Sequence, residues 1–313
     1  MVAPFGSFAP LCHSVPSYPI CNLFFRQLAR DSPSDLNAPN GDLGAFERVA
    51  PVGIDITCGI PRMVDGKLGN IANIIAIAIS IFVTAFLIYR VSRRVAAVGR
   101  VELQNFLVLY LVSLPLQLVT TGAMLKQSST VLVIITAVHM GVVAALFWTL
   151  LANGIVATQA VEDGTMSSLV PFWLIGALFF AATTYISLDT AFGFSSTFTS
   201  HPPSELRGIA LFVLTSIWPA FCAFAYFVIM IYVVTSILRE GRPVLYYAAA
   251  AFLFVLSQLA YFLLSKVICK GSSSKLDGSF VATVLETLSV AMIVASWISI
   301  TEESWEDEPY YPS

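Results

Sequence analysis

The chain has 313 residues, is 57% hydrophobic and only 11% charged, and carries a net charge of −3 at pH 7. A soluble domain normally carries about 25% charged residues, so this composition excludes an ordinary water-soluble globule, and the net charge gives no basic footprint for a nucleic-acid partner. The mean hydropathy of +0.82 points instead to a chain that resides in the lipid bilayer.

Residues 1–67 form a first unit, expected to be luminal. They lack a basic n-region and a continuous apolar core, so no signal peptide is expected, and the first span acts as its own insertion signal. Ile20 to Ala29 suit one short amphipathic helix on the membrane surface, and the Pro, Ser, Asn and Asp of residues 31–42 read as a loop. No Asn-x-Ser/Thr site occurs in the chain.

Seven apolar stretches then follow, at 68–89, 101–125, 130–159, 169–191, 209–238, 244–265 and 279–300. Each reaches the roughly 20 residues that a helix needs to cross a bilayer core of about 30 Å. The fold class is therefore all-α: a polytopic membrane protein with a seven-helix bundle over 68–300 and an acidic tail over 301–313. Pro115 and Pro219 fall inside the second and fifth spans, where they should kink or loosen the helix. No internal repeat suggests an inverted-repeat transporter.

Loop charges set the orientation. Arg90, Arg93, Arg94 and Arg100 follow the first span, and Arg239 and Arg242 the fifth, against Lys126, Arg207, Lys266, Lys270 and Lys275 on the other side. The dense cluster beside the first span places the N-terminus in the lumen and the C-terminus in the cytosol. Cys12, Cys21, Cys58 and Cys269 then all fall on the luminal side, with Cys222 alone inside a span. An even set in an oxidising compartment suggests two disulfides among three connectivities, with Cys12–Cys21 and Cys58–Cys269 the favoured pairing.

Ionisable groups in a bilayer are costly and mark candidate sites. His139 in the third span and Glu286 in the seventh each lie roughly 10–14 Å below the luminal end, at about 1.5 Å per residue. Gln117 and Gln258 come to a similar depth, so these four side chains are expected to share one intramembrane polar layer. Such a layer either fixes helix register or serves as a ligand site or relay built on the His139 and Glu286 pair. Small residues at Gly141, Ala144 and Ala145 and at Ala248 to Ala251 suit close helix packing, inside this bundle or against a client helix.

No catalytic, cofactor-binding or metal-binding residues stand out. The histidines His13, His139 and His201 are far apart, and no phosphate-cradling or dinucleotide glycine pattern occurs. A processive glycosyltransferase would need a soluble nucleotide-sugar domain and a Gln-x-x-Arg-Trp element, neither of which is present. The third span ends without the acidic-Arg pair of G-protein-coupled receptors, and the last has no lysine for a retinal Schiff base. The chain therefore reads as a non-enzyme with no cofactor.

The loops carry a resemblance. Ala97-Val-Gly-Arg100 opens the second span; Asn153-Gly154 is followed by Val161-Glu-Asp-Gly-Thr165; Leu276-Asp-Gly278 follows Cys269; and the last helix ends in Trp297-Ile-Ser-Ile-Thr-Glu-Glu303. With Cys12, Cys21 and Cys58, these resemble the fungal chitin synthase export chaperones, in order from about residue 6 to residue 307. The resemblance implies residence in the endoplasmic reticulum membrane and direct binding of a chitin synthase. It also implies protection of the synthase from aggregation and export towards the cell surface, with passage of both to the plasma membrane in some members. His139 and Glu286 stand where the family leads one to expect uncharged polar residues. Glu306-Asp307-Glu308 in the tail is a candidate di-acidic export signal for a vesicle coat, or simply a solvated tail. The reading from another class is a small transporter or seven-helix sensor that uses the His139/Glu286 layer.

Overall fold

The computed structural model describes residues 4–36, 54, 69–94, 98–127, 129–195, 197–273 and 276–301. Two short helices, α1 (Ala9–Ser14) and α2 (Ile20–Asp31), precede the first long one. The seven spans are α3 (Ile71–Ser92), α4 (Arg100–Thr121), α5 (Thr130–Ala157), α6 (Met166–Phe192), α7 (Ile209–Leu238), α8 (Gly241–Phe262) and α10 (Gly278–Ile300). A short helix, α9 (Ser265–Gly271), links the last two.

Local chemistry trims the spans. The first starts at Ile71 rather than residue 68 because Asn70 turns into the left-handed region at φ 53° and ends the preceding chain there. The second stops at Thr121, where Gly122 caps it. Ser129 caps α5 by accepting from Leu132 N, and Asp277 caps α10 by accepting from Ser279 N. Pro115 sits within α4 without ending it. Around Pro219, widened turns at Val213–Ile217 and Val233–Leu238 flank the regular stretch Trp218–Tyr232, relieving a helix in which proline cannot donate.

The spans close into a ring of neighbours. Helix α10 packs on α3, α3 on α4, α4 on α5, α5 on α7, and α8 returns along α10. The remaining seam, between α7 and α8, is only lightly packed, and α6 lies outside the ring against α5. Large apolar side chains such as Phe82 on α3, Leu178 on α6, Phe224 on α7 and Phe252 on α8 point outward, as lipid-facing residues do.

One half of the ring interior is dry. Leu103, Leu107, Tyr110, Leu150, Tyr226, Met230, Tyr247, Ile293 and Trp297 fill it from every wall. The other end is covered by the N-terminal segment, whose Phe8, Cys12, Val15, Phe24, Phe25 and Leu28 form a second core with Val133, Met140, Ala191, Leu206 and Leu211. This corrects the expected membrane-surface position of the helix over Ile20–Ala29. Most of α2, from Ile20 to Leu28, is buried against α5 and α6, including the polar Asn22 and Gln27.

The small residues of α5 face its neighbours inside the bundle. A side chain at Gly141 would come within 2.2 Å of Thr184 Oγ1 and 2.8 Å of Phe180 O on α6, and Ala144 and Ala145 are buried. Ala250 is buried too, and its carbonyl accepts from Ser289 Oγ at 2.8 Å, whereas Ala248 is exposed. Replacing Gly141 with leucine should therefore force α5 and α6 apart and cost about 1–3 kcal/mol. Thermal unfolding in detergent, followed by reaction of the buried free thiol Cys222, checks this; an unchanged Tm would mean that α6 is not seated on Gly141.

Candidate functional site

The candidate site is the capped half of the ring, where polar side chains replace apolar ones. Its outermost node is Asp277, fully buried at the start of α10. Ser17 Oγ and Ser279 Oγ both donate to its carboxylate. Asn70 Nδ2 adds a 3.4 Å bond to Asp277 and a 2.9 Å bond to Ser279 Oγ. Ser17 O in turn accepts from Tyr261 OH at 3.3 Å. The carboxyl thus ties the N-terminal segment to the start of α3 and to α10, and Ser17 adds the link to α8. Burial raises the Asp277 carboxyl above the ordinary carboxylate range, against the lowering effect of these donors.

A ladder continues inward along α3, α4 and α10. Thr283 Oγ1 donates to Asn73 Oδ1 at 2.8 Å, Asn73 Nδ2 donates to Thr121 Oγ1 at 3.1 Å, and Gln117 Nε2 donates to Thr283 Oγ1 at 3.1 Å. One turn deeper, Thr287 bonds Ser80 at 2.7 Å and Tyr110 OH at 3.0 Å. Gln258 Nε2 donates to Glu286 Oε1 at 3.1 Å, joining α8 to α10.

His139 belongs to a separate group. Its Nδ1 lies 3.1 Å from Thr120 Oγ1, and Asn22 Nδ2 of α2 reaches Thr120 O at 3.3 Å and Thr136 Oγ1 at 3.4 Å. No hydrogen bond or ion pair joins His139 to Glu286; among the described residues the ion pair shown is Arg30–Asp31. The expected pairing of His139 with Glu286 is therefore corrected. Depth along a helix follows from residue count, but the direction in which each side chain leaves its helix does not.

A disulfide joins Cys12 to Cys21. Cys269 is also disulfide-bonded; Cys58, the partner expected for it, lies outside the described residues, as do Glu306, Asp307 and Glu308.

Several residues that composition did not flag prove structural. At the end opposite the cap, Glu102 Oε1 accepts from Gly164 N at 3.0 Å and Ser168 Oγ at 3.3 Å, Asp163 Oδ2 accepts from Gly99 N at 3.0 Å, and Trp297 Nε1 donates to Val98 O at 3.0 Å. Near the cap, Asp189 accepts from Ser195 N at 2.6 Å and Phe198 N at 3.2 Å. The peptide runs that carry the resemblance are thus the clasps at both ends of the bundle.

Comparison with known proteins agrees with this placement. The family model described as chitin synthase export chaperone matches residues 4–310, from the cap through all seven spans. The chain belongs to the chitin synthase export chaperone family. The family's curated members include a chitin synthase export chaperone of Coccidioides immitis, 31% identical over 96% of this chain and 84% of its own length. Those of Gibberella zeae and Chaetomium globosum are 32% and 33% identical over 73% of this chain, covering 66% and 67% of their own lengths. No solved structure matches the chain.

The raised Asp277 carboxyl in this chaperone-family bundle links folding to pH. Its raised folded value means that the folded state holds the proton more tightly than the unfolded chain. The associated stability is therefore present below the ordinary carboxylate range and lost as pH rises through the folded value. Asp277→Asn keeps the helix cap and removes the charge. It is expected to match the parent Tm at pH below the ordinary carboxylate range and to gain on the parent as pH rises above it. Parallel pH profiles for the two proteins would contradict the assignment.

Proposed function

We propose that this protein binds a newly made chitin synthase in the endoplasmic reticulum membrane, prevents its aggregation and enables its export to the cell surface. The observation that carries the reading is the family match across residues 4–310, which leaves no span outside it. In this reading the capped end faces the lumen and the C-terminus faces the cytosol, as the arginines after α3 favour. The protein acts by association and performs no chemistry of its own. Its family supports this reading, and nothing in the comparisons favours the transporter or sensor alternative.

Physics supplies the mechanism. Helices in a bilayer gain little from apolar burial and associate through close packing and hydrogen bonds. A synthase helix with polar groups is therefore prone to wrong pairings until its proper neighbours arrive. A folded bundle that offers satisfied polar surfaces can hold such a helix and release it without covalent work. The synthase and this protein then leave together or part at the exit site, and Glu306-Asp307-Glu308 serves as the signal for vesicle loading.

Deleting this protein from its host should leave the synthase in the endoplasmic reticulum and lower its surface level at least several-fold, as followed by fractionation and imaging, with recovery on re-expression. Normal arrival of the synthase would overturn the reading. In the same assay, changing Glu306 and Glu308 to alanine is expected to slow exit without reducing protein level.

A further inference from the structure

The capped half of the ring holds polar side chains that point inward yet are not sealed. At 3.6 residues per turn, Glu286 lies on the face of α10 opposite the outward Val284 and Leu288, between the buried Ala282, Thr283, Val290 and Ile293. It nevertheless remains partly accessible, as do Gln258 on α8 and Gln117, which lies on the inward face of α4 with Ser113, Leu114 and Thr121. Inward direction combined with partial accessibility means that packing beside these three side chains is incomplete.

The seam between α7 and α8 borders this incompletely packed region. Towards the far end the seam is shut by Tyr226 against Tyr247, ring centroids 6.3 Å apart. Towards the cap it is covered by Tyr18, whose ring meets Tyr261 at 6.0 Å and Phe262 at 5.7 Å on α8, and by Phe8, which meets Tyr18 at 6.4 Å and Phe212 of α7 at 5.6 Å. Between these two levels no ring contact or hydrogen bond joins α7 to α8 among the described residues, and the helices are only lightly packed. The widened turn Val213–Ile217 and Pro219 lie on the α7 side of that stretch. On the α8 side, Phe254 meets Phe147 of α5 in a tilted ring contact at 6.0 Å, and Gln258 follows one turn on.

Charge decides what enters. Glu286 Oε1 has one donor, Gln258, and no lysine, arginine or histidine forms an ion pair with this carboxyl among the described residues. One amide donor on Oε1 does not offset the cost of a charged carboxyl at mid-depth in a bilayer, whereas a cation would. We propose that the α7–α8 seam receives a transmembrane helix of the client, with a lysine or arginine side chain of that helix reaching Glu286 and Gln258. The proposal rests on the chaperone reading and adds its contact point.

Two experiments test it on the full-length protein in native membranes. A photo-crosslinking residue at Phe254, inside the seam, should capture the synthase at least about tenfold more than one at Phe82, which is 76% exposed on the opposite wall of the ring. Glu286→Gln, which keeps the bond to Gln258, should leave the Cys222 unfolding profile unchanged and reduce co-purified synthase about tenfold, the size of one interhelical hydrogen bond. Glu286→Asp should retain most of the recovery. Equal capture at both positions, capture of a second copy of this chain at Phe254, or full synthase recovery with Glu286→Gln would overturn the seam assignment while leaving the chaperone reading intact. Failure of the parent protein to recover any synthase would remove both.

Discussion

Every polar group that enters the hydrocarbon must find its partner inside the protein, because the lipid offers none. That requirement organises this structure. The spans turn Asn73, Ser80, Thr84, Thr283 and Thr287 inward, where α3, α4 and α10 bond one another. At the capped end of the polar half-ring, the Asp277 carboxylate and the Thr120 carbonyl take donors from outside the seven spans. The N-terminal segment supplies them through Ser17 and Asn22 while burying its own aromatic residues. The cap thus completes the polar interior, and its disulfide between Cys12 and Cys21 fixes the segment that performs it.

The spans were legible in the sequence because a run of about 20 apolar residues has few other uses. Their ends were less so: Asn70 and Gly122 shift boundaries through backbone conformation, which hydropathy does not register. The α2 helix was legible as amphipathic but misplaced. Asn22 and Gln27 look like a water-facing side, yet Gln27 pairs with Ser200 through both its amide atoms, at 2.9 and 3.3 Å. Periodicity cannot tell water from a polar cleft. The Asp277 node carried a signal in the Asp before an apolar run, which is a helix-cap pattern; Asp163 carried none beyond its place in a loop that resembles the family, and Glu102, in the first turn of α4, carried none.

The same constraint connects fold to function. Interhelical hydrogen bonds tie α8, α10, α3 and α4 together, and this is the wall that bears Gln117 and Glu286. The lightly packed α7–α8 boundary is the exception, and it borders the carboxyl that lacks an ion-pair partner. A protein of this family that must recognise another membrane helix gains from such an arrangement: a fixed polar wall for specificity and one yielding edge for access.

The central claim is direct association with a chitin synthase in the membrane. Extraction of host endoplasmic reticulum membranes in mild detergent, capture of this protein by a tag and quantification of bound partners by mass spectrometry test it most directly. The account predicts recovery of a chitin synthase in near-stoichiometric amount. Recovery of this protein alone, under conditions that keep other membrane complexes of the same organelle intact, would contradict it.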